Sequence, residues 1–221
     1  GFPGEEVDKM RKRKLIGGTV LTPIRALTGA EIAVENGKIV SVGPRDAATD
    51  AGAEIFDVGG LWIAPGFIDM HVHGGGGYDF MDATVEAFHG AARMHALHGT
   101  TTLLPTSLAS GDEALLDMIH AYQDAVRAPW VGAAMPGLHL EGPYFSLAQA
   151  GAQAPDAITP PDPERTARIL KAAHGSILRW SSAPELPGSM EFAREMRKRG
   201  ILLSIGHSDA RESVVAEAIE N

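Results

Sequence analysis

From residue 67 onward, short apolar runs alternate with helix-period segments, and this alternation restricts the possible folds more than any other feature. Residues 67–71 read as a strand, followed by a helix over about 83–97. Residues 101–104 form the next strand, with a helix over about 113–127, and 133–140 the third. The following helix opens at Asp162-Pro163, where the Asp side chain caps free N–H groups and the Pro ring supplies a helical φ. A strand over 177–181, a helix over 190–199 and a strand over 202–205 follow. Ser208 or Asp209 then caps a last helix, with Val214, Val215, Ala218 and Ile219 on its buried side. Consecutive β/α units require a parallel sheet covered by helices, because a strand returns parallel only through a crossover. No Gly-x-Gly-x-x-Gly and no Gly-Lys-Ser/Thr phosphate loop lies between a strand and a helix. The expected fold is therefore α/β: part of a (β/α)8 barrel, with about five of its eight units.

Residues 10–63 read differently, as short strands with no helix-period segment. Asn36-Gly37 between two apolar runs is a hairpin signal, since both turn residues of the preferred type take positive φ. This stretch is expected to be a small β domain, and 64–221 the barrel portion, with the change at Ala64-Pro65-Gly66. Residues 1–9 are read as a cloning remnant or disordered lead before a start at Met10, and the basic run from Arg11 to Lys14 as a solvated terminus.

Composition narrows the chemistry. Of 221 residues, 19 are Lys or Arg and 28 Asp or Glu, a net charge of −9, so nucleic acid and anionic membrane are poor partners. The longest apolar run, 130–138, is far short of a membrane span, and no signal-peptide pattern opens the chain; a cytoplasmic enzyme is expected. Without cysteine there is no disulfide, thiolate ligand or Cys nucleophile, so any metal must be held by His and carboxylates. Such groups gather at strand C-termini, the catalytic rim of a (β/α) barrel: His71 and His73 end the first strand, His139 and Glu141 the third, His207 the fifth. Residues two apart on a strand share a face, so His71 and His73 can reach one cation. Imidazole and carboxylate suit Zn²⁺, Fe²⁺, Mn²⁺ or Co²⁺. The glycines at 74–77 remove side chains beside the pair and let backbone or substrate approach.

The segment from Pro65 to Gly74 (PGFIDMHVHG) resembles the first-strand signature of the amidohydrolase superfamily, and the β segment before it resembles the N-terminal part of that superfamily's accessory β-sandwich. The segments TTTLLPTS at 100–107, GLHLEGP at 137–143, GAQ at 151–153 and SIGHSDA at 204–210 resemble the N-acetylglucosamine-6-phosphate deacetylase family. The resemblance implies metal binding by Glu141 and His207, with His71 and His73 holding a second ion in two-metal members. It implies that Ala152 and Gln153 contact an amino-sugar phosphate, a small-molecule substrate, with Gln153 serving substrate and not metal, and that Thr106 lines the site. The reaction implied is hydrolysis of the acetamide of N-acetylglucosamine 6-phosphate. The family's general-acid Asp falls beyond Asn221, so the chain is expected to be an N-terminal portion with no catalytic acid of its own, a poor catalyst whose open strand edges favour a homo-oligomer. Two other readings stand beside this one: another N-acyl or cyclic-amide hydrolase of the superfamily, or a non-catalytic fragment. Against the cyclic-amide members, residues 177–183 contain no Lys where their carboxylated Lys would sit.

Overall fold

The computed structural model describes residues 12–220, so the expectations for residues 1–9, Met10 and Arg11 lie outside the described residues. Two compact units emerge, the first ending at Gly66 and the second beginning at Phe67.

The first unit is a single sheet of β1 (Lys12–Leu21), β2 (Ala26–Glu35), β3 (Lys38–Pro44), β4 (Ala53–Asp57) and β5 (Trp62–Ile63). Its order is β3-β2-β1-β4, with β5 also pairing β1. The β2–β3 turn holds Asn36 at φ 52° and Gly37 at φ 73°, and Glu35 pairs with Lys38 across it. A small core of Val20, Ala30 and Ile32, flanked by Leu15, Leu27, Val34 and Ile63, holds the sheet. The basic run is not a solvated terminus throughout: Lys14 is buried in β1, with its Nζ 3.0 Å from both Glu31 Oε1 and Asp50 Oδ1. Carboxylates from distant parts of the chain supply the charge that a buried ammonium needs.

The second unit carries the β/α alternation. Its elements are β6 (Phe67–Val72), a two-residue hairpin of β7 (Gly74–Gly75) and β8 (Tyr78–Asp79), α1 (Val85–Leu97), β9 (Thr100–Pro105), α2 (Asp112–Arg127), β10 (Leu138–Glu141), α3 (Pro163–Ala173), β11 (Ile177–Ser182), α4 (Ser189–Lys198), β12 (Leu202–Ile205) and α5 (Glu212–Glu220). β6 pairs β9 in parallel, and β10, β11 and β12 form a parallel sheet in that order. Parallel bridges Thr102–Ala134 and Thr106–His139 join the two sets, so five barrel strands stand side by side in chain order. Asp162 caps α3 as its sequence implies, its Oδ1 accepting from Arg165 N at 2.9 Å, with Pro163 in the first turn. The core lies between strands and helices, with Trp180, Tyr144, Phe80, Phe88, Leu103 and Leu140 fully buried. Among the described residues, no helix is long and apolar enough to cross a membrane.

Two elements differ from the sequence reading. The third barrel strand covers only 138–141, not 133–140, because Pro136 has no N–H for a ladder and interrupts the run. The last helix starts at Glu212, with neither Ser208 nor Asp209 as its cap. Ser208 Oγ and Asp209 N instead donate to the Glu185 carboxylate at 2.7 and 2.6 Å. No residue of that helix is buried: Val214, Val215 and Ala218 are half-buried and Ile219 is 74% exposed.

Candidate metal centre

The end of β6 sets the first two imidazoles. Asp69 Oδ1 accepts the backbone N–H of His71, and the ladder with β9 breaks register between Asp69 and Val72. Val72 N and Thr106 N then anchor the strand end through Thr106 Oγ1 and Val72 O, each at 3.0 Å. His73 Nδ1 lies 3.2 Å from Thr106 O, a carbonyl that requires a proton on that nitrogen and turns Nε2 toward Glu141. The glycines that follow allow a close backbone approach: a Cβ on Gly74 would lie 2.0 Å from Tyr78 O across the β7–β8 hairpin.

Glu141 ends β10, where all four residues are buried and alternation divides Leu138 and Leu140 from His139 and Glu141. Its backbone N donates to Ser107 Oγ at 3.1 Å. Carboxylate atom Oε1 lies 3.1 Å from His71 Nε2 and 3.4 Å from His207 Nε2, and Oε2 lies 3.2 Å from His73 Nε2. His71 Nε2 and His73 Nε2 are 3.3 Å apart. One ligand atom from each of His71, His73 and Glu141 falls within 4.8 Å of the others.

His207 joins from the loop after β12. It takes a left-handed backbone, φ 48°, which is uncommon for a side-chain-bearing residue. Several contacts hold it there. Its Nδ1 donates to Gln149 O at 2.9 Å, its carbonyl accepts from Ser146 N at 2.9 Å, and its ring stacks on Phe145 with centroids 4.5 Å apart. Glu185, in the turn after β11, fixes the next two residues through the bonds to Ser208 and Asp209 described above.

The electrostatics follow from this crowding. Burial disfavours a charged Glu141, but the hydrogen bond with His73 and the three imidazoles outweigh it and hold its carboxyl below the usual range. The same hydrogen bond raises His73, whereas burial lowers His71. His139, fully buried, is pushed down to about 3 by desolvation and then by Arg179 and His71, so it is neutral. Both its nitrogens are engaged, Nδ1 with Met70 O at 3.1 Å and Nε2 with Ser181 Oγ at 2.7 Å. It packs edge-on against the His71 ring with centroids 4.9 Å apart and has no lone pair left for a cation.

Of the residues singled out in the sequence, His71, His73, Glu141 and His207 thus converge. Thr106 is buried beside them and orients His73. Ala152 is exposed, while Gln153 is buried and spends its amide within the protein: Nε2 donates to Glu141 Oε2 at 2.7 Å and Oε1 accepts from Ala109 N at 2.8 Å. The expectation that Gln153 serves substrate alone left out this contact; one amide hydrogen and one lone pair remain for a ligand. Sequence reasoning also gave no role to Phe145, Gln149 or Ser181. Gln149 orients through a main-chain carbonyl, which no side-chain pattern reveals.

The amidohydrolase family model matches residues 62–220, most of the chain. This chain belongs to the amidohydrolase family. Among relatives of this amidohydrolase, N-acetylglucosamine-6-phosphate deacetylase of Lysinibacillus sphaericus is 31% identical over 190 residues, covering 86% of this chain and 49% of the relative. The Homo sapiens protein of that name is 36% identical over 169 residues, 74% of this chain and 41% of the relative. A mutant N-acetyl-D-glucosamine-6-phosphate deacetylase of Mycobacterium smegmatis, in complex with N-acetyl-D-glucosamine-6-phosphate, superposes with TM-score 0.84 at 31% identity, covering 95% of this chain and 53% of the other. The chain spans about half the length of these relatives. A triazine hydrolase, 17% identical with TM-score 0.60, shares the fold. The donor set of this amidohydrolase, imidazole Nε2 atoms around one carboxylate, fits a borderline divalent cation.

Proposed function

We propose that this amidohydrolase carries the metal centre of a cytoplasmic enzyme of amino-sugar catabolism, which hydrolyses the acetamide of N-acetylglucosamine 6-phosphate to glucosamine 6-phosphate and acetate. The observation that carries this reading is the meeting of Glu141 with the Nε2 atoms of His71, His73 and His207 in a chain whose relatives bear that deacetylase name. These residues would hold one or two ions of Zn²⁺, Fe²⁺, Mn²⁺ or Co²⁺, which would supply Lewis acidity and a hydrolytic nucleophile near neutral pH. The chain's own residues prepare the site for that chemistry. Thr106 O and Gln149 O accept from Nδ1 of His73 and His207, so that Nε2 is the nitrogen each ring turns toward an ion. Ala152, with the unspent hydrogen and lone pair of Gln153, meets the sugar. The chain is assigned to a homo-oligomer.

The test is metal content. The chain, dialysed against Zn²⁺ and then buffer, should retain ion, and Glu141→Ala and His207→Ala should each lose most of it. Equal content in all three proteins would sink the metal centre. In the protein extended to the length of its relatives, acetate release from N-acetylglucosamine 6-phosphate should depend on added ion. Release unaffected by a chelator would exclude the mechanism.

A further inference from the structure

Glutamate is an imprecise metal ligand by itself. Its terminal torsion joins an sp³ to an sp² carbon and has no sharp staggered wells, so the carboxylate plane must be fixed by its neighbours. Around Glu141, three of those neighbours are imidazoles that would themselves turn toward an ion. The fourth is the amide of Gln153, and it has a fixed orientation. Ala109 N–H needs an acceptor and takes Gln153 Oε1 at 2.8 Å, which leaves the NH₂ group facing Glu141 Oε2 at 2.7 Å. A flipped amide would set donor against donor and oxygen against carboxylate. Gln153 N, bonded to Ala150 O at 3.0 Å, ties the backbone beneath, and the residue is only 6% exposed.

We infer that Gln153 is a positioning residue of the metal centre: its amide occupies one lone pair of Glu141 Oε2, fixes the carboxylate plane, and leaves Oε1 to face His71 and His207. The contact spans loop and strand and is buried, so water competes weakly for it. This inference rests on the metal reading above and adds to it the geometry with which Glu141 binds. Substrate contact through the second amide hydrogen is compatible with it, because the two hydrogens point in different directions.

The probe is Co²⁺ alone, whose visible absorption reports coordination geometry, with affinity measured by competition against a chelating dye. Gln153→Leu keeps the bulk and removes the donor; it should bind Co²⁺ about 10–100-fold more weakly, the range typical of lost ligand-orienting partners, with a shifted spectrum. Gln153→His, whose imidazole N–H can reach the same oxygen, should recover most of the affinity and the original spectrum. Thermal unfolding of each metal-free protein separates a packing role, which would lower Tm and leave affinity and spectrum as they were. Should Gln153→Leu not fold, Gln153→Asn, whose amide falls one methylene short, takes its place with the same expectation. Unchanged affinity and spectrum in the donor-less variant would overturn the positioning role while leaving the metal centre intact. A parent chain that takes up no Co²⁺ would overturn both.

Discussion

Asp50 stands between two cations of the first unit, Arg45 and Lys14, and its hydrogen bonds to them, Arg45 first, hold its carboxyl down at about 2 from an ordinary 3.8. A depressed carboxyl stabilises the fold above its unfolded pKa and loses that contribution as pH falls through the folded one. The first unit should therefore lose stability between about pH 4 and 2, read as faster amide exchange in β1 and β4. Asp50→Asn, weaker at neutral pH, should show a shallower loss over that window, and an equally steep one would refute the assignment. Trp180 is fully buried between Tyr144 and Phe192 and donates to Gly142 O at 2.8 Å. Trp180→Ala should cost about 3–5 kcal/mol in denaturant unfolding. At this scale the sequence showed the proposed ligands and hid their supports. His71, His73, Glu141 and His207 are legible because their side chains are chemically distinctive and end strands. Thr106 O and Gln149 O are not, since every residue has a carbonyl. Lys14 was misread because its partners, Glu31 and Asp50, are distant in sequence and nothing local announces them.

Helix α3 isolates the value of one local signal. Asp162→Ala removes the acceptor for Arg165 N and should destabilise the protein by about 1 kcal/mol, with Asp162→Ser close to the parent; a loss within error of zero would mean the cap contributes nothing. Elements marked in this way were legible: the Asn36-Gly37 hairpin and four of the five barrel strands appear where turn chemistry and periodicity place them. The misplacements have local causes. Residues 133–137 are apolar enough for a strand, but Pro136 cannot join a ladder, so β10 begins two residues later. Ser208 and Asp209 have the chemistry of a helix cap, yet Glu185 from the turn after β11 engages both, and the helix waits until Glu212. Propensity reports what a residue can do locally, whereas a carboxylate arriving from a distant turn decides which option is taken.

Over the whole molecule, among the described residues β6 pairs only with β9 and β12 only with β11, so each has one side free. Phe67 and Ile68 on β6 are 71% and 70% exposed, and Leu202 on β12 is 57% exposed. Free strand edges beside apolar side chains recruit other chains. Light scattering should find this chain larger than a monomer, and Ile68→Lys should shift it toward monomer; a parent that stays monomeric at high concentration would count against the oligomer. The chain-order arrangement of strands has one more consequence. His71 lies in the first barrel strand and His73 just after it, Glu141 ends the third and His207 follows the fifth, so an ion gripping all of them would staple together positions separated by more than half the chain. Closing so long a loop chemically removes much of the freedom the unfolded chain would regain. Occupancy at 100 times Kd adds about 2.7 kcal/mol by mass action. Stripping the ion should therefore speed hydrogen exchange in β12, at the far end of the staple, more than in β9, which is paired with β6 on one side and bridged at Thr102–Ala134 on the other.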